Sequence, residues 1–304
     1  MECPVCQSKS IKPQAKFRNK HKCFSNLERV KCNNCGLHFA QPMPSTQDLH
    51  NYNASYHESA HGGSDRDEKQ KAFFRGLAKT RINYILNNIA SKSLKYSNVL
   101  EIGPGPGAFV EEWKEKFPQS KYYALESDTS CHQSLLDLGV NIIEEKDFLN
   151  INMKFDFLIM SHVLEHVADP VDFLRSFSHK LNPGGHLFIE VPCMDWIHKN
   201  LDEPHLLFFD KPSMNKLIER LQLKKISVSY YGVLIKDLRN PVITFFKRLR
   251  GFFWRNGITY FHSEKRILLN ILKDKTQTEA IINFYPHKEQ NSHAWWLRVI
   301  AKKE

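Results

Sequence analysis

The stretch VLEIGPGPGAF, residues 99–109, decides the fold. A short apolar run (Val99, Leu100, Ile102) ends in a turn carrying Gly103, Gly105 and Gly107, and an amphipathic segment follows. Glycine lets backbone amides and the N-terminus of the next helix come close to a ligand, so strand, glycine turn and helix together read as a nucleotide cradle. The spacing is one residue tighter than the G-x-G-x-x-G dinucleotide fingerprint, and Glu101 stands two residues before the first glycine. An acid there would repel a pyrophosphate and suits instead a ligand that carries an amino group and a positive charge.

Outward from this turn the chain alternates. AFVEEWKEKF reads as a helix with Phe109, Trp113 and Phe117 on one face, KYYALES as a strand, CHQSLLDLG as a helix and FDFLIMS as a strand. DPVDFLRSFSHKL is a helix capped by Asp169 with Pro170 in its first turn, ended by NPGG at 182–185, and HLFIEVP is the strand after it. Before the turn, Phe73, Leu77, Tyr84, Ile85 and Ile89 recur at helical spacing. Strands and helices in alternation predict a parallel sheet covered on both faces, with ligands at the carboxyl ends of the strands.

Five of the seven cysteines fall before residue 36, and Cys3/Cys6 with Cys32/Cys35 make two C-x-x-C knuckles. Four thiolates at this spacing fit a closed tetrahedral Zn²⁺ site of structural rather than catalytic type. Cys23 is left over, with His21 and His38 as outside candidates for a swapped ligand. The expected organisation is a zinc ribbon over 1–45, a linker and active-site cover with a leading helix over 46–97, and the main domain over 98–304, with an insertion at about 233–292.

VLEIGPGPGAF resembles the first motif of the class I methyltransferases, which bind S-adenosylmethionine, and further positions match in order over roughly residues 98–232. The resemblance implies a Rossmann-like seven-stranded sheet. It implies that Glu101, Gly103, Pro104, Gly105 and Gly107 approach the cofactor, that Glu126, beside Ser127, takes the ribose hydroxyls, and that Asp147 and Phe148 hold and cover the adenine. Ser161 and His162 would line the methionyl and methyl region. HVLEHVADP followed by LNPGGHLFIEVP looks like the branch acting on sugars, lipids and other small metabolites. A zinc ribbon fused ahead of the domain resembles the sugar C-methyltransferases, whose ribbon and tyrosine-bearing segment cover the site, with Tyr52 and Tyr56 as lining candidates here. That subfamily carries a tyrosine, histidine, acid, histidine run after the fifth strand, of which this chain keeps only EPH at 203–205. O-methylation therefore stands beside C-methylation.

Methyl transfer from a sulfonium is an in-line displacement, so alignment carries most of the catalysis and a base is needed only when the acceptor must lose a proton. His162, His166 and His205 are the candidates, histidine titrating near neutrality, with Glu165 and Tyr56 behind them. A helix continuing past Ser161 would put His162 and His166 on one face.

The charge of +10 favours anionic partners. KDLRNPVITFFKRLRGFFWR, residues 236–255, mixes cations with aromatics; it reads as a helical lid or as a contact with a membrane surface or lipid-linked substrate. The expected activity is methyl transfer to a sugar or other small metabolite, including a nucleotide- or lipid-linked glycan. An RNA methyltransferase is the alternative, although SHVLEH is unlike the NPPY-type run of base-amine enzymes, which argues against nucleic acid; a cofactor-binding module without catalysis is the other. With no signal-like N-terminus and no long uncharged apolar run, the expected location is the cytoplasm, with peripheral contact at the inner face of the membrane as a variant.

Overall fold

The computed structural model describes residues 2–53, 68–89, 96–238, 240–242, 245, 249, 258–263, 266–271 and 288–304, with residues 53, 68, 69, 258–263 and 266–271 described as backbone. Tyr56, most of the segment expected to cover the site and most of the basic aromatic run lie outside the described residues.

Three strands open the chain: β1 (Ile11–Lys16), β2 (Glu28–Cys32) and β3 (His38–Gln41). A helix at Thr46–Asn53 and a long one at Glu68–Asn88 follow. The latter buries Ala72, Leu77, Ala78, Ile82, Tyr84 and Ile85, with Ile89 buried just past its end. Then come β4 (Asn98–Ile102), β5 (Lys121–Leu125), β6 (Asn141–Ile142), β7 (Phe155–Ser161) and β8 (Leu181–Pro192). After them run β9 (Leu207–Phe208), β10 (Lys224–Leu234), β11 (Ile258–Ser263), β12 (Arg266–Ile271), β13 (Glu289–Gln290) and β14 (Ala294–Lys302).

The main sheet runs β13-β10-β14-β8-β7-β4-β5-β6. β6, β5, β4, β7 and β8 are mutually parallel, and β14 is antiparallel to both neighbours. From β4 the chain first winds outward through β5 and β6, then returns to add β7 and β8 on the other side. The switch point therefore falls between β4 and β7, where an open α/β sheet leaves a crevice. Without the two-residue edge strand β13, the sheet has the seven strands that the resemblance implies.

Side chains alternate across the pleat, so each central strand feeds two cores. Val99, Phe157 and Ile159 pack with Phe109, Trp113 and the Glu68–Asn88 helix on one face. Leu100, Leu158 and Met160 pack with Leu174, Phe177, Met214 and Leu217 on the other. Phe109 and Trp113 stack with ring centroids 5.8 Å apart and Trp113 lies 4.7 Å from Phe117, the predicted aromatic face of the Ala108–Lys116 helix. Asp169 caps the Pro170–Ser178 helix by accepting from the amides of Val171 and Asp172.

Two expectations are corrected. NPGG does not terminate that helix; it belongs to β8, which starts at Leu181 opposite Phe155. Gly184, at φ +79°, donates to the carbonyl of Lys303, and a Cβ on Gly185 would come within 2.9 Å of the Asn182 carbonyl, so the glycines let the strand bulge and stay paired. The insertion, expected to be helical, also holds the antiparallel hairpin β11–β12 beside the short helix Ile235–Leu238.

The ribbon is joined to the main domain by pairing. β3 pairs with β9, which follows His205, giving a second sheet of order β1-β2-β3-β9. The 1%-exposed Asp202 accepts from the backbone amide of Arg18 at 2.9 Å and from the Arg29 guanidinium at 3.1 Å, and Glu203 accepts from the amides of Lys20 and His21. Tyr52, expected to line an acceptor pocket, instead meets Phe24 and His21 edge-on at 5.0 and 5.1 Å on the ribbon.

Candidate active site

The glycine turn closes as its composition predicts. Gly103, Gly105 and Gly107 all lie at positive φ, and a Cβ on Gly103 would approach Val163 Cγ2 to 2.7 Å. The turn therefore packs directly on the loop after β7. The Gly105 amide donates to Glu126 Oε2 at 2.8 Å and the Asp128 amide to Oε1 at 2.9 Å. This carboxylate thus ties the glycine turn to the end of β5. Burial raises its pKa, opposed by the two amides. Each oxygen keeps a lone pair for a further donor.

Across the switch point, Ser161 ends β7 with its hydroxyl buried and without a hydrogen-bond partner. An orphan hydroxyl beside a glycine cradle is a place where a bound polar group completes the accounting. Ser127 is exposed beside Glu126, and Asp147 is exposed on the helix Glu145–Phe148.

Two predicted cofactor residues have other placements. Glu101 is 2% exposed and accepts from the Tyr122 hydroxyl at 2.7 Å, on the side of the Glu68–Asn88 helix. Burial raises it to about 7, against the Tyr122 hydrogen bond and the charge of Arg81. Position 101 alternates into the sheet layer rather than out of its end. Phe148 packs into the core, 4.9 Å from Phe177 with Lys180 over its ring, while the next residue, Leu149, is 67% exposed.

The predicted histidines converge, by a different route from the one expected. No helix continues past Ser161: His162 sits at φ +60° and only Leu164–His166 make a 3-10 turn. Three histidines surround Glu165, which is fully buried. His162 Nδ1 lies 3.4 Å, His166 Nε2 3.8 Å and His205 Nε2 4.0 Å from Glu165 Oε1. None meets hydrogen-bond geometry, and both oxygens of Glu165 lack a hydrogen-bond partner. His205 is fixed from behind by Asp195 Oδ2 at 2.8 Å, and His166 Nδ1 lies 3.3 Å from the Pro204 carbonyl. Burial pushes His166 down to about 4. Burial acts the same way on His162, but Glu165 and Glu190 outweigh it and its pKa is raised. Asp195 is held well below the carboxylate range by His205 and Lys199 despite its burial.

Four residues that sequence reading passed over, Glu190, Arg81, Arg298 and Asp195, complete the surroundings. Glu190, fully buried in β8 opposite Ser161, accepts from Arg81 Nε at 2.8 Å and from Arg298 Nε at 2.6 Å, with His162 Nε2 at 3.3 Å. Arg298, with no exposure, also donates to Thr80 and lies 3.7 Å from the Tyr231 ring. A polar residue in an otherwise apolar strand, Glu190 in LFIEVP, was the available signal; Arg81 and Asp195 had none.

In the ribbon, Cys3 Sγ and Cys35 Sγ are 3.6 Å apart, Cys6 Sγ and Cys32 Sγ 3.4 Å, and all four lie within 4.8 Å of one another. Thiolates on a tetrahedral Zn²⁺ stand about 3.8 Å apart, so the set fits that ion. Cys23 and His21 are outside this group: His21 Nδ1 accepts from the Cys23 amide. His38 is also outside it, 5.2 Å from Trp196.

Among known proteins, residues 71–228, just over half of the chain, match the family model described as a methyltransferase domain. The chain is 30% identical over 124 residues to a ubiquinone biosynthesis O-methyltransferase of Coxiella burnetii, and 28% identical to its counterpart in Aliivibrio fischeri. The first match covers 36% of this chain and 49% of the relative. The chain thus spans about half the length of the curated relatives it matches. A SAM-dependent methyltransferase structure from Archaeoglobus fulgidus superposes with a TM-score of 0.48 at 16% identity, covering 82% of this chain and 98% of that one. With the seven-strand order and the glycine turn at its switch point, the match over residues 71–228 establishes that the chain belongs to the methyltransferase-domain family, in its class I form.

Proposed function

We propose that this protein transfers a methyl group from S-adenosylmethionine to a small-molecule acceptor, a sugar or another hydroxyl-bearing metabolite. The observation that carries the reading is the pairing across the switch point: a glycine turn held to Glu126 by the Gly105 amide, facing the orphan Ser161 hydroxyl at the end of β7. Those residues fit the cofactor. Glu126 retains acceptor capacity for two ribose hydroxyls, the turn brings amides to the methionyl end, and Ser161 offers a hydroxyl there. When bound, S-adenosylmethionine supplies an electrophilic methyl on a sulfonium.

The acceptor side is assigned to the loop Ser161–His166 and to His205. It gathers three histidines and a carboxylate, which suits an acceptor that must give up a proton. Transfer to oxygen is favoured over transfer to carbon by the names of the relatives and by the missing tyrosine-bearing run after β8. We assign Zn²⁺ to Cys3, Cys6, Cys32 and Cys35 in a structural role. Among the described residues, no helix is long and apolar enough to cross a membrane.

Calorimetry with S-adenosylmethionine and S-adenosylhomocysteine tests the cofactor half. The wild type should bind both, and Glu126→Ala should lose at least tenfold in affinity. Binding that survives Glu126→Ala unchanged would move the ribose elsewhere, and no binding by a folded wild type would overturn the reading. Methyl-labelled cofactor with a metabolite extract then identifies the acceptor.

A further inference from the structure

We infer that Glu165, His166 and His205 form a second metal site, separate from the cysteine ribbon, that takes a borderline divalent first-row cation such as Zn²⁺. Their donor atoms lie within 4.8 Å of one another. The hydrogen bonds behind the rings determine which way the lone pairs face. A carbonyl oxygen only accepts, so His166 Nδ1, at 3.3 Å from the Pro204 carbonyl, carries the proton and its Nε2 is a lone pair. His205 Nδ1 likewise donates to the Asp195 carboxylate at 2.8 Å, which leaves its Nε2 lone pair aimed inward. The two Nε2 atoms lie 3.8 and 4.0 Å from Glu165 Oε1.

Glu165 supplies the independent observation. It has no exposure, and neither of its oxygens has a hydrogen-bond partner. A buried carboxylate in that state calls for a cation within coordination distance. For metal–ligand lengths of about 2.1 Å, donors on a tetrahedral ion stand about 3.4 Å apart, so the two separations from Glu165 Oε1, 3.8 and 4.0 Å, close onto an ion with a shift of about half an ångström. Two imidazoles and one carboxylate suit borderline cations rather than Mg²⁺ or Ca²⁺. Asp195 behind His205 is the outer-shell carboxylate that such ligands carry.

Three protein ligands leave a coordination position on the side of His162, whose ring is 36% exposed. There the ion would bind an acceptor hydroxyl and lower its pKa, so that the hydroxyl proton passes to solvent or a neighbouring base and the oxygen attacks the methyl carbon as its bond to the sulfonium sulfur breaks, leaving neutral S-adenosylhomocysteine. The site itself does not depend on the methyl-transfer reading; this use of it does.

The test is zinc stoichiometry of the full chain with its ribbon loaded, by titration calorimetry and elemental analysis. Two equivalents are expected in the wild type. Glu165→Gln and His166→Gln should each bind only one, while Cys32→Ser loses the other. Asp195→Asn should weaken the second equivalent about 10- to 100-fold. Cobalt gives an independent readout, since the second equivalent should add ligand-field absorption without thiolate charge transfer. One equivalent in the wild type, or two retained in both ligand variants, overturns the proposal and leaves a protonated His162 as the counter-ion of Glu165. If Glu165→Gln does not fold, His166→Gln, which alters a ring at the cleft margin, decides alone. Cofactor calorimetry on the same samples separates failure of the metal site from failure of the methyltransferase reading.

Discussion

At the scale of single residues, Gly103 and Glu101 show how one turn sets two properties. Gly103 has φ +65° and no room for a Cβ beside Val163. Gly103→Ala should therefore destabilise the fold by about 1–3 kcal/mol and weaken cofactor binding, as read by thermal melts and calorimetry. Glu101 is a titration device. Its folded pKa, about 7, lies above the 4.5 of an ordinary carboxyl, so the folded state binds its proton more tightly. The stability it contributes is full below pH 4.5 and is lost as pH rises through 7. The difference is about 3 kcal/mol for a group this buried. Glu101→Gln should flatten the wild-type decline between those limits in urea melts taken across pH, and an unchanged decline would assign it to another group.

At the scale of elements, the long helix Glu68–Asn88 is fastened to the sheet by charge as well as by its apolar stripe. Glu190 on β8 holds Arg81 of that helix and Arg298 of β14 in one buried network. Removing one partner leaves an uncompensated charge. Glu190→Gln should therefore cost about 3–5 kcal/mol, visible as a lowered chemical-denaturation midpoint. Replacing Glu190 and Arg298 together by apolar residues of similar size should recover much of that loss. The helices themselves were legible in sequence because their apolar residues repeat every three or four positions, and Asp169 was legible as a cap because its role is local. The Glu190 network was not, since its partners lie more than 100 residues apart in the chain.

At the scale of the whole molecule, the ribbon and the candidate acceptor site are one mechanical unit. β3 pairs with β9 just after His205, the Leu206 amide donates to the Glu165 carbonyl at 2.7 Å, and Asp202 anchors Arg18 and Arg29. With Zn²⁺ in the ribbon as proposed, its loss should therefore loosen residues 202–208 and displace His205. Stripping that metal, or Asp202→Asn, should reduce turnover far more than cofactor affinity, because the glycine turn stands on other strands. An equal loss in both would point to global unfolding instead.

The sequence by itself determined the alternation of strands and helices around the glycine turn, the turn itself, the four-cysteine cluster and the candidacy of the three histidines. Each of these rests on local periodicity, backbone freedom or short-range spacing. Only the tertiary structure decided that Glu101 and Phe148 are packing residues, that Tyr52 faces the ribbon, that NPGG is a strand bulge and that Glu165 is the hub of the histidines. Those outcomes depend on which face of the pleat a side chain takes and on which distant segment meets it. His205 reaches Glu165 because β9 closes the ribbon sheet, a long-range pairing that no run of adjacent residues encodes.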